Sequence, residues 1–183
     1  MTGLDLSRRY CESVVYPAFE REAAAELRHL AFGLAGPGSE CYGLDDAVSQ
    51  DHDWGPRVCV WVPDEVHRSR GPFLQRIYDR LEPRFLGYGP VARVDTRVPR
   101  DGVISIPRFF LTYMGTDEYP QTNREWILIP EVALSLCTNG EIFSDSLGEI
   151  TRRRRQFLEY YPQDVWLKKL ASRCRAAGRA GQY

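Results

Sequence analysis

The residues best equipped for chemistry stand together in Gly36-Pro37-Gly38-Ser39-Glu40-Cys41-Tyr42-Gly43-Leu44-Asp45-Asp46-Ala47-Val48-Ser49-Gln50-Asp51-His52-Asp53-Trp54-Gly55-Pro56. A glycine–serine turn precedes four aspartates, and the run leads into Arg57-Val58-Cys59-Val60-Trp61-Val62, the strongest strand signal in the chain. Asp51 and Asp53 are two apart, so an extended backbone projects both carboxylates to one side. Carboxylates on one face repel unless a cation lies between them. Hard oxygen donors with room for water and phosphate are what Mg2+ (or Mn2+) accepts. Gly38 lets a polyphosphate approach the backbone, and the turn at Gly38-Ser39, read as the end of a helix, exposes N–H groups to it. Together these parts predict metal-assisted phosphoryl or nucleotidyl transfer, in which the cation neutralises phosphate and acidifies an attacking hydroxyl. The competing reading is that aspartates crowd into loops for turn chemistry alone.

Other candidates are weaker. The five cysteines, Cys11, Cys41, Cys59, Cys137 and Cys174, are odd in number and widely spaced, which suits neither a disulfide framework nor a zinc knuckle. Reduced thiols fit a cytoplasm. His52-Asp53 lacks the further histidines of an HD-type phosphohydrolase, since only His29 and His67 remain. An EF-hand fails because Val62 stands where a bidentate acid is required. Arg152–Arg155 point all round a helix and form no single stripe, so a nucleic-acid partner is not expected. One or two of these arginines are candidates to reach a triphosphate in the cleft. Trp54, next to Asp53, is a candidate to stack on a base.

The elements that must position these residues can be read from periodicity. Leu6 to about Leu34 reads as helix, divided or kinked at Pro17. Gly71–Leu86 reads as an amphipathic helix, with Phe73, Ile77 and Leu81 at spacing four. Val91–Val98 and Gly102–Ile106 read as strands joined by a turn at Pro99–Gly102. A short helix follows at Arg108–Met114, another over Trp126–Leu136 past Pro130, and a short strand at Glu141–Phe143. Helix returns from Ser144 to Tyr160 and from Pro162 to Ala177, with Phe157, Tyr160 and Tyr161 as its docking face. This order predicts an α+β fold: a small mixed β-sheet flanked by helices, with a helical C-terminal part. The expected division is an α+β domain over 1–140 and a helical extension over 141–183.

The same stretch resembles the nucleotidyltransferase superfamily, the fold of DNA polymerase β, through Gly38-Ser39 followed by Asp51-His52-Asp53. More narrowly it resembles the DUF4037 family. The matching segments include Gly43-Leu44-Asp45-Asp46, Ser49 to Arg57, Gly140 to Asp145, and Tyr160 to Leu167, and they span about residues 4–172. The resemblance implies that Gly38 and Ser39 hold the phosphates of a nucleoside triphosphate and that Asp51 and Asp53 hold Mg2+ or Mn2+ and serve catalysis. It also implies a third acid from a neighbouring strand, for which Asp95 and Asp101 are the placements and Glu131 and Asp145 the fallbacks. The acceptor would be a small-molecule or protein hydroxyl. The alternative is a catalytically inactive nucleotide- or protein-binding module of the same fold. The family implies a longer helical part after the Tyr-Tyr-Pro motif than the chain has before Tyr183.

Composition supports a folded protein and excludes several classes. The chain has 183 residues with 43% apolar and 27% charged residues, enough for a sizeable core. Neither a run of about 18 apolar residues nor a signal-peptide pattern is present, so no membrane association and a cytoplasmic location are expected. The net charge of −1 is uneven: residues 151–183 carry nine Lys/Arg against two acids, a net of +7, which leaves −8 on residues 1–150. Such asymmetry suits nucleic acid, a phosphorylated ligand or self-association through charge, and equally a set of solvated helix faces. Nothing in the sequence fixes the oligomeric state.

Overall fold

A computed structural model describes residues 1–45, 54–89, 100–159 and 161–180. Asp46 to Asp53 and Pro90 to Pro99 lie outside the described residues, and with them Asp51, Asp53, Asp95 and the expected strand over Val91–Val98.

The fold is α+β, with a mixed four-stranded sheet. Helix α1 (Gly3–Tyr10) opens on a Thr2–Asp5 capping box and runs through a π-helical turn, Cys11–Val15, into α2 (Tyr16–Glu22). Pro17 sits in the first turn of α2, where its missing N–H costs little, so the irregularity belongs to the π turn that precedes it. The helix ends at Glu22 and does not reach Leu34. Strand β1 (Ala31–Leu34) instead pairs antiparallel on both sides, with β2 (Cys59–Val62) and with β4 (Glu141–Asp145). Helix propensity at Ala23–Ala25 is a weak prior and loses to these ladders and to Phe32, whose ring meets those of Tyr16 and Phe19 edge-on.

Strand β2 is interior and pairs parallel with β3 (Gly102–Ser105), giving the order β3-β2-β1-β4. Its side chains alternate between two cores: Cys59 and Trp61 on one face, Val58, Val60 and Val62 on the other. The two buried faces explain why Val58–Val62 reads as an unbroken apolar run. The valine face is covered by α1, α2 and α3 (Asp64–Asp79) through Tyr10, Phe19, Leu74 and Ile77. Helix α3 starts seven residues before the expected Gly71 because Asp64 and Glu65 favour a first turn at the positive end of the helix dipole. It stops at Asp79, not Leu86.

The Trp61 face is covered by α4 (Ile106–Met114), α5 (Asn123–Leu128), α6 (Glu131–Thr138) and α7 (Glu149–Glu159). Phe110, Phe157, Trp126 and Tyr161 form a continuous aromatic cluster there, with Phe157 and Tyr161 docking the C-terminal part as expected. Helix α7 begins at Glu149 and not Ser144, since Ser144 and Asp145 extend β4. Helix α8 (Gln163–Ala180) follows Pro162. Among the described residues, no helix is long and apolar enough to cross a membrane.

Candidate functional site

The register gathers four chain segments on one edge of the sheet. Gly33 faces Cys59, Leu34 faces Glu141, and Cys59 faces Gly102. The end of β1 and the starts of β2, β3 and β4 therefore share that edge. Gly36-Pro37-Gly38-Ser39 leaves β1 there, Trp54–Val58 arrives there, and Arg100-Asp101 and Asn139-Gly140 flank it. The glycine–serine turn thus follows a strand and not, as expected from sequence, a helix.

Gly38 has φ +150°, and a Cβ there would lie 2.5 Å from a Glu40 carboxylate oxygen, so only glycine fits. Ser39–Tyr42 then winds as a short 3-10 turn that tucks Glu40 inward. Glu40 is 2% exposed and Arg57 3%, and the two form an ion pair. Burial opposes Arg57's charge, but the Glu40 carboxylate outweighs it and holds the guanidinium above its ordinary pKa. The Pro37 carbonyl accepts from Arg57 Nη2 at 3.5 Å and from Arg100 Nη2 at 3.1 Å. Two arginines from two strand starts therefore clasp one carbonyl of the turn.

The other side of the turn is held by Asn139. Its Oδ1 accepts from Gly36 N–H at 2.9 Å and its Nδ2 donates to Gly36 C=O at 2.8 Å, a closed two-bond pair. Gly140 donates its N–H to Cys41 C=O at 2.9 Å, and a Cβ at Gly140 would fall 2.0 Å from Leu34 O. Arg154, 8% exposed, donates to the Thr138 and Asn139 carbonyls from α7. Of the four consecutive arginines, this one turns inward and braces the loop that braces the turn. Its guanidinium pKa is lowered by that burial.

Several sequence expectations change here. Asp45, one of the four aspartates, is 9% exposed: its carboxylate accepts from Gly3 N–H and from Trp54 Nε1 (3.2 Å), tying the segment after the turn to α1. Trp54 spends its N–H on that bond and its ring on Tyr88, 4.7 Å away edge-on, so it has a structural use. Asp101 stands at the start of β3 on the shared edge and accepts from Tyr78 O–H at 3.4 Å. Burial pushes the Tyr78 phenol well up, and Asp101 adds to that shift. The fallbacks lie elsewhere. Glu131 sits at the far end of α6, about 12 Å along the helix from Asn139, and pairs with Arg173 at 2.8 Å. Asp145 is at the other end of β4, where it accepts from Gly148 N–H at 2.9 Å and Thr151 N–H at 3.0 Å.

Burial pushes the Cys11, Cys41, Cys59 and Cys137 thiols up to about 12, so none of them is a nucleophile near neutral pH. Asp101, at this edge, is a hard oxygen donor of the kind Mg2+ takes. Among the described residues no three His, Cys, Asp or Glu side chains converge as a metal site. Sequence reasoning missed Arg57, Arg100, Asn139 and Arg154. Arg100 meets Pro37 and Asn139 meets Gly36 across more than 60 residues of chain, Arg154 meets Thr138 and Asn139 across 16 and 15, and no local pattern carries these contacts.

Residues 126–183 match the family model described as Domain of unknown function (DUF4037), which supports the resemblance over that C-terminal part. No curated protein matches the chain, and no solved structure does.

Proposed function

We propose that the protein is a Mg2+-dependent nucleotidyltransferase that moves a nucleoside monophosphate from a nucleoside triphosphate to a hydroxyl of a small molecule or protein. The observation that carries this reading is the shared sheet edge. The clasped Gly38-Ser39 turn, the start of the strand fed by the Asp51–Asp53 segment, and Asp101 at the start of the parallel neighbour all belong to it. Gly38 and Ser39 would take the phosphates, and Asp51, Asp53 and Asp101 would hold the divalent ion, which supplies charge neutralisation when bound. In the reaction the acceptor oxygen bonds to the α-phosphorus and the bond to the leaving pyrophosphate breaks. The hydroxyl proton passes to a carboxylate of the set.

The test is a screen of ATP, GTP, CTP and UTP with Mg2+ against hydroxyl acceptors, read as pyrophosphate release. Release that disappears in Asp51→Asn supports the enzyme. Nucleotide binding without release in any acceptor pool would favour a binding module of the same fold.

A further inference from the structure

Helix α8 shows three different sides. Its body side is Val165, Lys169 and Arg173: Val165 is buried in the Trp61-face core, Lys169 donates to Ile129 C=O, and Arg173 meets Glu131. At 100° per residue, Trp166, Ala177, Leu170, Cys174, Leu167, Gly178 and Ala171 occupy a continuous arc of about 140° beside it. Every residue of that arc is exposed, and all are apolar except Gln163, which falls at its middle in the first turn; Trp166 and Leu167 are at 51%. Lys168, Arg175 and Arg179 fall on the remaining side by sequence. A surface helix normally turns such a stripe to a core. Here the core contact uses a different side.

The apolar surface continues onto the body. Helix α5 runs alongside α8, with Asn123 bonded to Asp164 at 2.6 Å, and carries exposed Ile127 and Leu128; Val132 follows at the start of α6. The last residues of α5 line a cleft of about 340 Å³ with Met114, Tyr119, Pro120 and Ile129 on its wall and Glu118 and Glu125 on its rim. The surface around α8 and α5 therefore bears an apolar ridge with Lys168 and Arg175 beside it and an apolar cleft with Glu118 and Glu125 in its lining. An isologous interface needs such a face, because a two-fold axis sets each ridge against the partner's cleft and each basic border against an acidic one. The small residues Ala171, Cys174, Ala177 and Gly178 suit close approach of another polypeptide.

We infer that the face formed by α8, α5 and the adjoining cleft is a self-association surface, on which a second copy of this chain seats reciprocally. The ridge of one copy covers the cleft of the other, and Lys168 and Arg175 of one copy meet Glu118 and Glu125 of its partner. This assignment is independent of the nucleotidyl-transfer reading.

The test is sedimentation velocity and light scattering on the full chain between about 1 and 50 µM at low ionic strength. The expected result is a mass moving from 21 kDa towards twice that value with concentration. Leu167→Glu/Leu170→Glu should leave a monomer at every concentration with an unchanged melting temperature, since both side chains are exposed in one copy. Glu118→Lys should weaken dimerisation at least tenfold, and Glu118→Lys with Lys168→Glu and Arg175→Glu should recover most of it. A wild-type chain that is monomeric throughout overturns the inference, as does a dimer indifferent to the Leu167/Leu170 substitutions.

Discussion

The glycine–serine edge and helix α8 invert the usual distribution of polarity in opposite ways. At the edge, charge goes inside: Glu40 and Arg57 are almost wholly buried, and Arg154 nearly so. On α8, apolar side chains go outside, with Trp166, Leu167 and Leu170 about half exposed. Both arrangements cost stability relative to a conventional layout, so both are informative. The buried charges fix one backbone loop in one conformation, as preorganised binding of a phosphate chain requires. The exposed apolar ridge leaves about half of Trp166, Leu167 and Leu170 open to water.

Substitutions can sharpen that contrast. The largest effect should come from Arg57→Met, which strands Glu40 without its partner. Breaking a buried pair from one side costs about 3–5 kcal/mol, read as a shift in the urea midpoint. Glu40→Leu with Arg57→Met should recover much of this loss while leaving the Pro37 carbonyl with Arg100 alone. If the double substitution is as damaging as the single one, the pair is not the isolated buried charge couple described here.

A smaller loss, about 1–3 kcal/mol, should follow Asn139→Ala, because the Gly36 N–H and C=O lose their partners in a half-buried place. Hydrogen exchange should accelerate at Gly36 in this variant and stay slow in β2. Uniform acceleration would mean that Asn139 supports the whole sheet and not the turn.

Alkaline pH separates the two regions in another way. Four thiols with pKa raised from 9.0 to about 12 contribute stability that is complete below pH 9 and declines as pH rises through the folded values. The melting temperature should therefore fall between pH 9 and 11, and fall less in Cys59→Val. On α8 the exposed Cys174 should react with a thiol reagent at neutral pH in the folded chain, while the buried four wait for unfolding. Prompt labelling of several thiols would contradict the packing described. Least of all, Leu170→Ser should change unfolding free energy of the single chain by less than about 0.5 kcal/mol.

The contrast also marks what was legible in the sequence. Strand β2 and the docking of Phe157 were readable because each makes a local pattern, an apolar run or an aromatic beside a helix. Strand β1 was not: its four residues follow an alanine-rich segment of high helix propensity and become strand only because β2 and β4 flank them. The turn at Gly38-Ser39 was legible as a turn, but its support was not. Asn139 and Arg154 lie more than 100 residues away, and an arginine in a run of four gives no sign of which one turns inward. Asp45 looked like one more loop acid, yet Gly3 and Trp54 draw it into the structure.

The central claim is that the Gly38-Ser39 edge receives the Asp51 and Asp53 carboxylates as a divalent-metal and nucleotide site. Its most direct test is the melting temperature of the intact chain with millimolar Mg2+ and ATP, compared with Asp51→Asn/Asp53→Asn. A bound ligand at a hundred times its Kd stabilises by about 2.7 kcal/mol, so the intact chain should melt several degrees higher with both present. That shift should be larger near neutral pH than near pH 5, where protons compete for the carboxylates. The double variant should show none of it. A shift that survives the double substitution, or an intact chain indifferent to Mg2+ and nucleotide together, would contradict the claim.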